Sequence, residues 1–445
     1  MSDLDALCRA ALDAAKGDED LEAYAEWGRK TDVKVYDGRV ESLTSAEARG
    51  LGVRIIDGGR VGYAYAADPD PDEVKAIVEM ARANAALGSP DEASILPAPE
   101  PIEPLDGIYL PQIAATPTDE KVALAMELER ITRAADPRVI GVEEAQYGDS
   151  VSRVAIRSTR GVAAEAERGD CWAVVSALAK QGDETQTGFS FELARAPQDL
   201  NLQRCGGEAA MRAARMLGAR KPATERMPVL LDPYAASSFL GVLAAGLTAE
   251  AVLKGRSLFA GKEGATVAAN VFTLVDDGRE LKGPGASPFD DEGVPTRRTP
   301  LIEAGVLQGF LHNTYTATRL GGQSTGNAGR AGFKSTPGVG PSNLFVEPGS
   351  LDQAGLLATA GRALLVQDLI GVHSGANPIS GDFSVGVTGL IYDGGADPVP
   401  IREAAIAGTI LQILGAITHV GSDLRFFGST GSPTLLIGEM TVAGS

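Results

Sequence analysis

The chain has 445 residues, enough for two or three domains and a sizeable core. Hydrophobic residues make up 44% and charged residues 22%, which excludes a disordered chain and points to a globular one. Acidic residues outnumber basic ones 59 to 40, a formal charge of -19; such a surface repels phosphate backbones, so nucleic acid is not an expected partner.

The opening Met1-Ser2-Asp3-Leu4-Asp5 has neither a basic nor an apolar signal region, and a cytoplasmic location is expected. Leu4, Leu7, Ala11 and Leu12 share one face of a helix that Gly17 stops. Val33 to Tyr36 reads as a strand, and Asp37-Gly38 as a tight turn into Val40 to Thr44. Gly52 to Gly59 and Val61 to Ala66 read as a second hairpin. The acidic turn Asp68 to Glu73 starts a helix from Pro71 to Ala86, with Val74, Ile77, Val78 and Ala81 inward.

Ser94 to Pro117 is proline-rich and reads as a linker. A helix over Thr118 to Ala135 follows, then strands at Val139 to Ser150, Ser152 to Ser158, Gly161 to Arg168 and Asp170 to Lys180. A helix from Asp199 to Leu217 leads into a linker at Gly218 to Arg226, after which apolar strands and glycine-rich loops dominate. Ala404 to Val420 is broken by Thr409, Gln412 and His419, and reads as a strand end and a buried helix rather than a membrane span. The predicted class is α+β, with an N-terminal α+β domain at 1–93, a linker at 94–117, a central α+β domain at 118–225 and a strand-rich C-terminal domain at 226–445.

Local motifs carry little chemistry. Gly322-Gln323-Ser324-Thr325-Gly326 fits the nucleophile-elbow pattern, but loop composition follows where a helix is needed. Gly255 to Lys262 is one residue too long for a phosphate loop, and Glu263 stands where a metal-binding hydroxyl belongs. Cys8, Cys171 and Cys205 are scattered without C-x-x-C spacing, as reduced thiols are. His312, His373 and His419 are isolated from one another and from any cysteine, so no local half of a zinc site exists. Asp276-Asp277 and Asp290-Asp291-Glu292 could hold a hard cation, but the glycines that follow favour surface turns.

Several stretches, in order, resemble the TldD/PmbA family. They are Gly50-Leu51-Gly52-Val53-Arg54-Ile55 and Gly62-Tyr63-Ala64-Tyr65, then Lys262-Glu263-Gly264 and Phe272 to Gly278. Asp290 to Thr296, Ile302 to Leu307, Ser324 to Arg330 and Pro341 to Leu344 continue the series. Ser380 to Ser384, Ile406-Ala407-Gly408 and Val420 to Leu424 complete it. Each is weak alone, and the ordered set is specific.

The resemblance implies a cytoplasmic peptidase system that pairs two related subunits, TldD and TldE, around an enclosed cleft. It is associated with maturing small modified peptides and trimming unfolded ones, and older descriptions call its members modulators of DNA gyrase. In TldD an H-E-x-x-x-H helix and a late cysteine hold zinc. Here the two histidine positions fall on Ala245 and Glu250 and the glutamate position on Gly246, and no cysteine follows Cys205. Alanine and glycine neither ligate nor transfer protons. The expected role is therefore a TldE-type subunit with no cofactor of its own, partnered by a zinc-bearing TldD-type subunit and a peptide substrate. His312, Asn327, Arg330, His373 and Asp382 are the candidate peptide contacts. A metal-free homodimeric peptide-binding protein, or a hydrolase using another constellation, is the alternative.

Overall fold

The computed structural model describes residues 2–444. Turn chemistry sets the register of its first sheet. Asp37 and Gly38, at φ 49° and 68°, close a hairpin between β1 (Asp20–Tyr36) and β2 (Arg39–Asp57). Two positive φ values in a row give the type I′ turn, whose twist matches that of antiparallel strands. A second hairpin at Gly58-Gly59 leads into β3 (Arg60–Ala67), so the two expected hairpins share one unbroken strand.

β4 (Val139–Ser158) and β5 (Ala163–Gln181) correct the sequence reading, which split each into two. Val151 pairs with Gly169 in the middle of a continuous ladder. Gly169 does not end its strand because the Ile113 and Tyr109 side chains pack over it. β6 (Glu184–Ala194) was not anticipated. The six strands run β3-β2-β1-β4-β5-β6, all antiparallel. The segments on either side of the proline-rich stretch thus share one sheet through β1–β4 pairing.

Two helix groups cover this sheet. α1 (Ser2–Asp13) and α2 (Pro71–Leu87) bury Leu4, Leu7, Val74, Ile77 and Val78 against Leu21, Val53 and Ile55. Asp70 starts α2 by accepting from the Asp72 and Glu73 amides, while Glu73 reaches back to the Asp70 amide, a reciprocal cap. α3 (Pro111–Ala115), α4 (Thr118–Ala135) and α5 (Leu202–Ala214) cover the other half, with Leu128, Cys205 and Ala209 packed near Val142, Cys171 and Val175. α5 is shorter than expected: Asp199 lies in a separate single turn, and Asn201 caps the helix by accepting from Arg204.

In the C-terminal half β7 (Glu225–Leu231) pairs in parallel with strand 362–370 and antiparallel with strand 435–444. Strand 382–393 joins 362–370 to 399–409, which also pairs with 435–444. Five strands therefore close on themselves, which protects their edges. A second sheet of short strands runs from 306–307 to 425–427. α6 (Pro233–Gly246) buries Phe239, Leu240 and Leu243 in a core shared with Leu274, Leu344, Val366 and Phe383. The stretch from Pro233 to Leu253, which holds Ala245, Gly246 and Glu250, forms two helices. α6 ends before Leu247, and Thr248, extended and accepting from the Ala251 amide, caps α7 (Ala249–Leu253). Among the described residues no helix is long and apolar enough to cross a membrane.

Buried charge ties the first sheet to the C-terminal half. Arg54 on β2 donates to Glu22 at 2.6 Å and to Glu292 at 2.9 Å, and Arg330 also donates to Glu22. Burial alone would raise the Glu22 carboxyl, but Arg330 and Arg54 more than offset it and hold it below its ordinary value. Gly50 and Gly52 on β2 permit this docking, because a Cβ at either would strike Phe333.

Candidate functional site

The N-terminal end of α6 is fixed by local chemistry. Asp232 accepts from the Ala235 amide at 2.8 Å and Pro233 occupies the first turn, where its missing N–H costs nothing. Asp232 is also held by Arg212 at 2.7 Å, which anchors the helix to α5. Tyr234, Ser238, Gly241, Val242 and Ala245 then fall on one helical stripe and line a cleft of about 610 Å³. Asp368, Leu369, Val372 and His373 form the facing wall. Gly241 has no atom within 4 Å of a built Cβ. Gly241→Ala is accordingly expected to stabilise the chain by about 0.5–1 kcal/mol in chemical denaturation.

Asp368 follows a bulge in strand 362–370 and stays accessible within a wall of protein atoms. Loss of surrounding water raises its carboxyl above the ordinary range. Tyr234 packs edge-on against Phe427 at 5.1 Å and tilted against Phe189 at 5.3 Å, and the Arg212 guanidinium lies 5.8 Å from its ring centre. This rigid aromatic corner was missed in the sequence. The adjacent Asp232-Pro233 helix start was its only local signal.

The candidate contacts do not converge. His373 is exposed in the short turn 372–375 and is the one that lines the α6 cleft. Asp382 is exposed at the start of its strand and accepts from Ser380 at 2.6 Å. His312 is half-buried; its Nδ1 has no hydrogen-bond partner, and burial pushes its imidazole down, favouring the neutral form. Asn327 is buried: its amide donates to Asp276 at 2.6 Å and its oxygen accepts from Thr325 at 2.6 Å. Arg330 is buried and spent, donating to Glu22, the Asp291 carbonyl and the Ser335 carbonyl while covering the Tyr24 ring. Asn327 and Arg330 thus bracket the fold internally. Ser324 donates to the His312 carbonyl, not its imidazole, at 3.3 Å.

The acidic groups expected as surface turns are interior. Asp276, Asp290 and Glu292 are all buried. Asp290 accepts from the Glu292, Val294 and Ala328 amides, and Glu292 holds Arg54 and the Thr314 amide. Their following glycines turn the chain, but the carboxylates tie separate loops together rather than facing water. Asp276, desolvated in this way, is raised to about 6. The folded state therefore holds the proton more tightly than the unfolded chain. Its contribution to stability is complete below the ordinary aspartate value and is lost as pH rises through about 6. Urea midpoints are expected to fall between pH 5 and pH 7.5, and Asp276→Asn to flatten that slope.

The metal-motif positions offer no ligand set. Ala245 lines the α6 cleft, Gly246 is buried beside Phe259, and Glu250 lies on α7 in a different recess, with Arg54, Asn313 and Tyr315. Among the described residues no three His, Cys, Asp or Glu side chains are grouped to hold a metal. The residues do not fit zinc. The thiols give no alternative nucleophile, because burial raises Cys8 and Cys205 to about 12 and Cys171 further.

Fold and cleft together define a strand-rich α+β protein with a buried helix under an open groove. Family models for PmbA/TldA metallopeptidase match three segments: domain 1 at residues 21–85, the central domain at 111–217 and the C-terminal domain at 224–444. The chain belongs to the TldD/PmbA family. It is 26% identical to the metalloprotease PmbA of Escherichia coli O157:H7, covering 98% of this chain and 94% of that one. A Thermotoga maritima crystal structure, described as a candidate modulator of a DNA gyrase, superposes with a TM-score of 0.91 at 27% identity over 99% of both chains. TldE from Thermococcus kodakarensis shares the fold, with a TM-score of 0.90 at 24% identity over 99% of each chain.

Proposed function

We propose that this chain is the non-catalytic, TldE/PmbA-like subunit of a TldD/TldE-type zinc metallopeptidase that processes small unfolded or modified peptides in the cytoplasm. The carrying observation is the α6 stripe: the helix face on the groove presents Tyr234, Ser238, Gly241, Val242 and Ala245, none of them a zinc ligand of the usual kind. Hydrolytic chemistry belongs to the zinc of the TldD-type partner. This chain's part is to hold and orient peptide.

The groove suits that task. Val242, Leu369 and Val372 give apolar contact, while the Tyr234 and Ser238 hydroxyls and the Asp368 carboxylate supply a few polar anchors. Gly241 and Ala245 keep the floor low enough for a peptide backbone to approach. Mixing the purified chain with a TldD-type subunit and measuring mass by light scattering tests the partnership. A mixed species of one subunit each supports the reading. A persistent homodimer of this 46.0 kDa chain, indifferent to the second subunit, favours the metal-free accessory protein instead.

A further inference from the structure

Beside the α6 groove lies a smaller recess of about 200 Å³, and Tyr234 lines both. Three arginines and three carboxylates face it. Arg212 is paired with Asp232 at 2.7 Å, and Arg425 with Glu208 at 2.8 Å. Asp423 is satisfied by the Thr434 amide at 2.9 Å and hydroxyl at 2.7 Å. Arg215 is left over. Among the described residues it has no carboxylate within salt-bridge distance, and its Nε is buried without a hydrogen-bond partner. An arginine closing a helix, as Arg215 closes α5, can answer the helix dipole while still in water. Here burial, with Arg212 adding to it, pushes the guanidinium below its ordinary value, an unfavourable setting that a bound anion would relieve. The Tyr234 hydroxyl, on the same recess, makes no hydrogen bond among the described residues.

We propose that Arg215 and Tyr234 form a docking site for a peptide carboxylate, fixing one end of a peptide that lies in the α6 groove. A guanidinium fork matches the two oxygens of a carboxylate, and a phenol adds a third donor. The paired arginines cannot serve, because each already holds an acid of the chain. A free C-terminus and an Asp or Glu side chain present the same group. The inference rests on the peptide-binding reading above, and it adds that recognition is anchored at an acidic point.

The test uses the full chain and a labelled, unstructured octapeptide without acidic residues, as the free acid and as the C-terminal amide, read by fluorescence anisotropy. The free acid is expected to bind about ten- to a hundredfold more tightly than the amide. Arg215→Gln is expected to remove that difference while leaving amide binding unchanged. An amide carrying one glutamate near its C-terminus separates the sources: binding like the free acid assigns the site to side-chain carboxylates, and binding like the plain amide assigns it to the terminus. Equal binding of acid and amide to the wild-type chain overturns the carboxylate site and leaves peptide binding standing. No binding of either form overturns both. The wild-type comparison decides even if Arg215→Gln does not fold.

Discussion

Glu22→Gln is expected to destabilise the chain by about 3–5 kcal/mol, the range for breaking a buried ion pair by removing one partner. Among the described residues Glu22 is the only salt-bridge partner of Arg330 and one of two for Arg54. All three side chains are buried. Glutamine keeps the shape and removes the charge, so Arg54 is left with Glu292 and Arg330 loses its ion-pair partner, without water to replace what was lost. The network joins β1 and β2 to the loops around 292 and 330, so the damage reaches the docking of the first sheet on the C-terminal half. Calorimetry should show a Tm drop of about 3–5 °C. Glu41→Gln, at an exposed pair with Lys34, should shift Tm far less. A Glu22 variant that melts like the wild type would mean that the network is not a structural tie.

Ala245→Trp is expected to reduce peptide binding by at least about tenfold with little loss of stability. Position 245 is exposed and lines the α6 groove. An indole there fills space that a peptide would occupy, while the core face of α6 at Phe239, Leu240 and Leu243 is untouched. Overpacking penalties belong to well-filled cores, not to an open groove. Anisotropy titration checks the affinity and a urea melt checks the fold. Unchanged affinity in a folded Ala245→Trp variant would move the peptide site away from α6.

What could be read from the sequence follows the range of the interactions. The Asp37-Gly38 turn and the start of α2 at Pro71 were legible because a turn dipeptide and an acidic first turn act within a few residues. The Thr118–Ala135 helix was legible from its apolar spacing alone. The break between α6 and α7 was not, because Thr248 stops one helix and caps the next inside a run of helix-compatible residues. Asp290 and Glu292 read as a surface turn because Gly293 follows them; their burial depends on partners 38 and 238 residues away. Arg330 drew notice as a polar loop residue, but its partner Glu22 is 308 residues distant. The degenerate metal positions were legible only through family resemblance. The groove that Ala245 lines required the folded chain, since its far wall comes from residues 368–378.

In the proposed role this chain would bring a peptide groove and no zinc site to a two-subunit peptidase. The most direct test of that role is metal analysis combined with cleavage of an unfolded peptide, for the chain alone and mixed with a TldD-type subunit. Substoichiometric zinc and no cleavage are expected for the chain alone, with cleavage appearing in the mixture. Stoichiometric zinc or cleavage by the chain alone would contradict that role.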